Sequence, residues 1–359
     1  MKLASISNKA LNNKEISKQE ALFLFKEVEL FKIAKIADQI RYKKHAEKKV
    51  SFAIDRNINY TNVCETRCKF CAFSCDCSDK QAFTLTYPQI KEKIVELEEI
   101  GGTHILMQGG HNPNLKIQYY EEIFNNIKKD FPKIKIHSLS PSEILYISKI
   151  SKISLEETLE RLKVSGLDSI PGGGAEILID RVRNLISPKK ITSENWLKVM
   201  EIANKINLKA SATMMFGHLE TIEERIEHLA ILRDFQSKTN MFRAFIPWNF
   251  QYNSKIELKS LYTKEEAIFD YLRTVALSRI FLNNFDNIQA SWVTQGFEIG
   301  QISLFFGVND FGGIMMEENV VASAGSIKSS SNKEELIRQI EKAGFKAFQR
   351  DSEYNFIDS

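Results

Sequence analysis

The chain has 359 residues, 43% hydrophobic and 26% charged, with only 7 prolines, an ordinary globular composition long enough to bury a large core. Its net charge of +3 comes from 49 basic and 46 acidic residues, a mixed balance that argues against a nucleic-acid or anionic-membrane binder. No stretch approaches the roughly 20 apolar residues of a membrane span, and the N-terminus lacks a signal peptide's apolar centre. A cytoplasmic, reducing setting with no membrane insertion is the resulting expectation.

Residues 1–49 read as a helical extension. Apolar residues recur at helical spacing through "SKQEALFLFKEVELFKIAKIADQIRYKKH", after a capping-type Ser17 with Glu20 three residues on. The β-like run "VSFAIDRNINYTN" follows and leads to "VCETRCKFCAFSCDC", which holds all five cysteines, Cys64, Cys68, Cys71, Cys75 and Cys77. Cysteines used as small apolar fillers would scatter through a core. In a reducing compartment such a cluster points to metal or redox chemistry.

Short apolar runs then alternate with amphipathic stretches. Strands are expected at 103–109, 133–139, 167–172, 209–217, 241–247 and 287–292, and a last, weaker one near 303–308 or 319–323. Helices are expected at 87–100, 116–130, 155–165, 175–186, 192–206, 221–238, 263–284 and 333–344. This alternation predicts parallel strands with right-handed crossovers, and roughly eight units suggest a (β/α)8 barrel of the TIM type. The expected organisation is an extension (1–49), a barrel (50–325), and a C-terminal loop and helix packing on it (326–359), the loop including the polar 326–332. Cys64, Gln108-Gly109-Gly110, Ser140-Pro141, Pro171 with Gly172–Gly174, Gly217-His218 and Pro247-Trp248 fall at C-terminal strand ends, the face where such barrels carry their active sites.

Cys64, Cys68 and Cys71 form C-x3-C-x2-C. Three thiolates on one loop can hold a [4Fe–4S] cluster and leave one iron open to a small molecule, since four cysteines are the usual ligand number. A structural zinc site is the other reading, although no second cysteine pair exists elsewhere. Cys75 and Cys77 are either free thiols or a spare ligand. Gln108, Gly109 and Gly110 read as a plain turn or as a close-approach surface for a cofactor. Ser140, Pro141 and Glu143 read as helix capping or as cofactor contacts. Glu176 is a hydroxyl or proton acceptor in this reading. Arg181 or Arg183 suits a carboxylate clamp, or a surface ion pair. His218 is a candidate proton acceptor, and Arg243 and Trp248 a cationic and aromatic wall.

The motifs "NYTNVC", "CKFCAF", "HILMQGGHNP", "HSLSPSEI", "DSIPGGGAEIL", "RVRNLISPKK", "TMMFGH", "FIPWNFQ" and "GVNDFGGIMMEENVVASAG" run in order from about residue 50 to 325. They resemble the radical S-adenosyl-L-methionine (SAM) superfamily, and within it the cyclic dehypoxanthine futalosine synthase family of the futalosine route to menaquinone. Aminofutalosine synthase and the deazaflavin-chromophore (FO) synthases are sister groups sharing much of it. The resemblance implies a [4Fe–4S] cluster on Cys64, Cys68 and Cys71, with SAM on the open iron. It also implies cofactor contacts from Phe70, Gln108, Gly109, Gly110, Ser140, Glu143, Glu176 and Arg183, and substrate contacts from His137, Arg243 and Trp248. His218 and Glu176 become candidate bases. The implied reaction takes hydrogen from C4′ of dehypoxanthine futalosine and joins that carbon to the benzoate ring. A reductant such as flavodoxin or ferredoxin is the implied protein partner, with no nucleic acid. One departure stands out: where many relatives carry Tyr-Arg, this chain reads Ser74-Cys75.

Overall fold

The computed structural model describes residues 2–252, 258, 263–323 and 330–357. Within them the chain begins with three helices, α1 (Leu3–Leu11), α2 (Lys18–Glu27) and α3 (Leu30–Lys44). Ser17 and Glu20 form the reciprocal capping box expected at the start of α2. This extension lies against the flank of the barrel. Ile33 and Ala37 are fully buried, and the Arg273 guanidinium donates to the Phe25 and Val28 carbonyls at 2.8 and 2.7 Å.

Parallel strands make up the sheets: β1 (Lys49–Ala53), β2 (Asp55–Asn59), β3 (His104–Gln108), β4 (Lys135–Ser138), β5 (Ser169–Ile170), β6 (Lys209–Phe216), β7 (Phe242–Asn249), β8 (Asn287–Ile288), β9 (Asp310–Gly313) and β10 (Lys346–Arg350). Among the described residues, β2 to β8 pair in sequence order in one curled sheet, and β10-β1-β9 form a second. The Ala290 N–H donates to the Asp310 carbonyl at 2.8 Å, and the Ile314 N–H to Ala53 at 3.1 Å. The first joins β8 of one sheet to β9 of the other, and the second lies within the β9–β1 pairing, from which the chain runs directly into β2. Helices α4 (Tyr87–Glu99), α5 (Ile117–Asp130), α6 (Pro141–Ser151), α7 (Leu155–Val164), α8 (Asp180–Ile186), α9 (Ser193–Lys205), α10 (Ile222–Thr239) and α11 (Lys264–Phe281) occupy the crossovers. Short helices α12 (Trp292–Gln295), α13 (Phe297–Ser303) and α14 (Val320–Ser323) and the longer α15 (Lys333–Lys342) follow. This is the TIM-type α/β architecture expected from the alternation of elements.

Two expectations need correction. The last barrel strand is β9 at 310–313, not 303–308 or 319–323, where helical turns run over 303–306 and 320–323. Leu304 and Phe306 are buried, but as a 3-10 turn that follows α13. The segment 175–179 is also not helical; α8 starts only at Asp180. The boundary at 325/326 and residues 326–329 of the expected polar loop lie outside the described residues.

Side chains alternate across each strand. On β2, Arg56 reaches the Lys93 carbonyl on α4 and Ile58 is fully buried, so Asp55, Asn57 and Asn59 face the barrel interior. On β3, Ile105 and Met107 face the helices, and His104, Leu106 and Gln108 face inward. The inward-facing Leu106, Gln108, His137, Thr213, Ile246, Trp248 and Gln289 remain partly exposed. A packed interior would bury them, so the barrel has an open lumen. Its N-terminal end is closed by the C-terminal segment: Arg350 pairs with buried Asp310, and the Tyr354 ring covers the guanidinium at 3.9 Å.

Candidate active site at the cysteine loop

β2 delivers the chain to a loop stitched at both ends. Thr61 bridges Thr84, and Val63 bridges Cys75. The Asn62 amide donates to the Gln81 carbonyl at 2.8 Å and accepts from the Phe83 N–H at 2.9 Å. Within the loop the Cys64 N–H donates to the Cys75 carbonyl, the Cys75 N–H to Asn62, and the Cys71 N–H to Cys68, all at 3.0–3.1 Å. Arg67 adopts a left-handed backbone, φ +51°, donates to the Ser74 carbonyl at 3.1 Å and pairs with Asp76. Cys64, Cys68, Cys71 and Cys75 are held half-buried, and Cys77 is exposed.

A residue the sequence reading passed over stands beside this loop. Lys190 Nζ donates to Glu176 Oε1 at 2.7 Å and lies 5.4 Å from the centre of the Phe70 ring. Its side chain is only 14% exposed. Burial works against the Lys190 charge, yet Glu176 and Cys68 together hold its ammonium above the ordinary lysine range. Burial likewise pushes the Cys68 thiol up to about 12, with Lys190 as the opposing influence. Lys190 lies in the quoted "RVRNLISPKK" stretch, but lysines are mostly solvated, and nothing local marks this one as buried.

Above the loop, glycine allows backbone contact that no side chain would. A Cβ on Gly110 would stand 2.1 Å from the Val63 carbonyl oxygen and 2.8 Å from Cys64 Cβ, and one on Gly109 2.7 Å from the Tyr60 ring. Glu143 organises this shelf. Its Oε1 accepts from the Gly109 N–H at 2.9 Å and from the Tyr60 hydroxyl at 2.8 Å. Its Oε2 accepts from the Ser140 hydroxyl and N–H at 2.6 and 2.7 Å. Ser140 and Glu143 thus form the capping box of α6, and in this structure their polar atoms serve the protein itself.

"PGGGAE" leaves β5 across the barrel mouth. Gly172 donates to Ser211 Oγ and accepts from Thr213 Oγ1, at 3.1 and 2.7 Å, and a Cβ there would meet the β6 backbone at 2.6 Å. Gly173 passes Gln108, whose Nε2 would lie 2.6 Å from an added Cβ. Glu176 follows with a positive φ of 41° and is 6% exposed. Its Oε2 is buried without a hydrogen-bond partner, 3.6 Å from Arg183. Arg183 spends its donors on the Gly174, Ala175 and Ile191 carbonyls, so it props up the glycine turn rather than offering a free fork.

The remaining candidates separate. His218 is fully buried. Its Nδ1 accepts from the Leu219 N–H at 2.7 Å, which leaves Nε2 to donate to the Met215 carbonyl at 3.1 Å, so both ring nitrogens are engaged. His137 lines the lumen, with Nδ1 2.7 Å from Ser169 Oγ. Trp248 lines it near the C-terminal end of β7. Arg243 is not with them: it is the second residue of β7, at the opposite end of the barrel, where it bonds the Ser352 carbonyl and Glu353 at 3.1 and 3.2 Å. Arg181 is on the surface, clamped by Glu224.

Three thiols on one ordered loop are a soft donor set suited to iron–sulfur or zinc. Three thiolates with the buried Lys190 ammonium beside them would suit an anionic iron–sulfur cluster.

Comparison with known proteins agrees with this geometry. Residues 58–232 match the model described as the radical SAM superfamily, and 239–359 the CofH/MqnC C-terminal region. The chain is 44% identical to the cyclic dehypoxanthine futalosine synthase of Streptomyces coelicolor, over 99% of this chain and 89% of that protein. It is 41% identical to the 5-amino-6-(D-ribitylamino)uracil–L-tyrosine 4-hydroxyphenyl transferase of Methanococcoides burtonii, over 95% and 96%. The fold is shared with the FeFe-hydrogenase maturase HydG of Carboxydothermus hydrogenoformans, TM-score 0.77 at 17% identity, over 98% of this chain and 80% of that one. It is also shared with methylornithine synthase, TM-score 0.73 at 16% identity, over 95% and 97%.

Proposed function

We propose that this chain, an enzyme that belongs to the radical SAM superfamily, cyclises dehypoxanthine futalosine to cyclic dehypoxanthine futalosine on the route to menaquinone. The observation that carries the reading is the 44% identity to a cyclic dehypoxanthine futalosine synthase over nearly the whole chain, with the half-buried thiols of the C-x3-C-x2-C loop held beside Lys190 and Glu176.

Cys64, Cys68 and Cys71 would hold the [4Fe–4S] cluster, and the Gln108-Gly109-Gly110 shelf would take SAM against it. When bound, these groups supply a carbon radical, by one-electron cleavage of the sulfonium, that removes one hydrogen atom. Phe70 would offer an apolar face to the adenine. The unpartnered, buried Oε2 of Glu176 would accept from a cofactor hydroxyl. Of the two candidate bases Glu176 is the better placed, since both His218 nitrogens are engaged. Trp248 and His137 form the lumen wall against the substrate. Their task is to hold the ribose carbon and the ring carbon in attack geometry and to keep water away. The substrate would lose one hydrogen atom from C4′ to that radical, gain the carbon–carbon bond, and then give up the ring proton to Glu176 and one electron to the oxidised cluster or to the oxidised protein partner. A reduced flavodoxin or ferredoxin would supply the electron that first reduces the site.

Anaerobic reconstitution with iron, sulfide, SAM, dithionite and dehypoxanthine futalosine tests this: the product is lighter than the substrate by two hydrogens. A second reading, transfer of a hydroxyphenyl group to a ribitylaminouracil, is favoured by the 41% identity to a transferase of that name. Parallel incubation with tyrosine and the uracil separates the two by product mass, and a third with the aminofutalosine synthase substrate covers that sister activity.

A further inference from the structure

β2 carries two asparagines on its inward face, Asn57 and Asn59, two residues apart and 5% and 7% exposed. Their amides cannot flip freely. Asn57 Nδ2 donates to the Glu318 carboxylate, and Asn59 Nδ2 donates to the Gln108 carbonyl at 3.3 Å. Both partners can only accept, so each nitrogen is fixed and each oxygen is turned to the other side. Both oxygens, Asn57 Oδ1 and Asn59 Oδ1, are buried with no hydrogen-bond partner. An unmatched buried amide oxygen is costly, and here two occur two residues apart on one wall of the lumen. The pair stands next to the cofactor shelf: Asn59 pairs in register with Gln108 and Asn57 with Leu106, and Cys64 follows Asn59 by five residues.

We infer that Asn57 and Asn59 form a hydroxyl-binding subsite that takes two neighbouring hydroxyls of a pentose or pentitol. The two oxygens accept, so their ligand must donate twice, over the roughly 7 Å that two residues of strand span. Neighbouring sugar hydroxyls can meet both with one bond each. Glu318, tied to Asn57, fixes the amide plane and places a carboxylate at the back of the subsite. The subsite holds the carbons that bear the hydroxyls beside the Gln108-Gly109-Gly110 shelf, and so sets which ribose carbon faces the cofactor. The inference rests on the reading that a ribose- or ribityl-bearing molecule enters the lumen, and it applies to either of the two substrates considered above.

The test is equilibrium binding to the anaerobically reconstituted protein, read by calorimetry without dithionite, so that no turnover is needed. The probes are dehypoxanthine futalosine, its analogues each lacking one ribose hydroxyl, and 5-amino-6-(D-ribitylamino)uracil. For whichever parent compound binds, removing one of the engaged hydroxyls is expected to weaken wild-type binding about tenfold, the worth of one hydrogen bond to a buried amide. In Asn59→Leu or Asn57→Leu the matching hydroxyl then contributes nothing, and the two losses do not add. If a variant fails to fold, the analogue series on the wild-type protein decides alone. Equal affinity of every deoxy analogue and its parent overturns the subsite. So does failure of both the ribosyl and the ribityl compound to bind. Tight, hydroxyl-dependent binding without the cyclised product overturns instead the reaction proposed above and leaves the subsite standing.

Discussion

Lys190 Nζ donates to Glu176 Oε1 at 2.7 Å, placing a buried cation beside an acceptor carboxylate and Cys68, whose thiol it draws down against the effect of burial. Removing that charge leaves Glu176 buried without its closest cation and takes a positive charge from beside the cluster loop. Lys190→Met is expected to destabilise the fold by about 3 kcal/mol, typical for breaking one half of a buried pair. It should also lower the cluster's reduction potential by roughly 100 mV, the order of the Coulomb effect of one nearby charge at an effective dielectric near 20. Urea unfolding and an EPR-monitored redox titration read the two effects. Lys190→Arg should keep most of the potential.

The Gly110 Cβ test concerns cluster assembly rather than chemistry. A methyl group 2.1 Å from the Val63 carbonyl oxygen and 2.8 Å from Cys64 Cβ can be relieved only by moving the cysteine loop. Gly110→Ala is expected to cut iron and acid-labile sulfide to below about half of wild type after identical reconstitution, with far-UV circular dichroism unchanged.

Glu143 collects the Gly109 amide, the Tyr60 hydroxyl and both Ser140 donors on one buried carboxylate. Glu143→Ala leaves those donors buried and unpaired. A loss of about 3–5 kcal/mol is expected, with SAM affinity falling at least tenfold because the Gly109 backbone is no longer held. Ser140→Ala removes one of these bonds and the α6 cap, and should cost about 1 kcal/mol.

The histidines set the acid limit of the fold. Burial depresses His111 and His228 each to about 3, far below the ordinary value near 6.5. Between those values the unfolded chain binds more protons than the native one, so stability rises with pH. It is fully present above about pH 6.5 and drains as pH falls towards 3. Each such histidine removes about 1.4 kcal/mol per pH unit once well inside the window. Urea midpoints should therefore hold steady from pH 8 to 7 and fall progressively below pH 6. His228→Gln should flatten that slope by about one proton.

Much of this was legible in the sequence because its signals were local. The cysteine spacing, the paired glycines and the S-x-x-E capping pattern each act through near neighbours, and the alternation of apolar runs set the barrel. Strand β9 was misplaced because "DFGG" lacks the β-branched residues that mark strands. What holds it is the closure onto Ala53 and Ala290, a contact no local pattern reveals. β10, "KAFQR", was passed over because it is too polar to read as a strand, and Arg350 finds its partner Asp310 forty residues away. Arg243 reads as part of the proposed substrate wall because it shares β7 with Trp248. Position along β7, not membership of it, puts Trp248 at the mouth and Arg243 at the floor. Lys190 and the orphaned oxygens of Asn57 and Asn59 depend wholly on three-dimensional neighbours.

The proposed reaction requires Cys64, Cys68 and Cys71 to hold a cluster beside which SAM is cleaved to start a ring closure. Its most direct test is mass analysis of an anaerobic reaction containing the reconstituted protein, dithionite, SAM and dehypoxanthine futalosine labelled with deuterium at C4′. The expected result is a cyclised product that has lost the label and 5′-deoxyadenosine that has gained it, both absent with Cys64→Ala. Deoxyadenosine without deuterium, or full activity in Cys64→Ala, would contradict it.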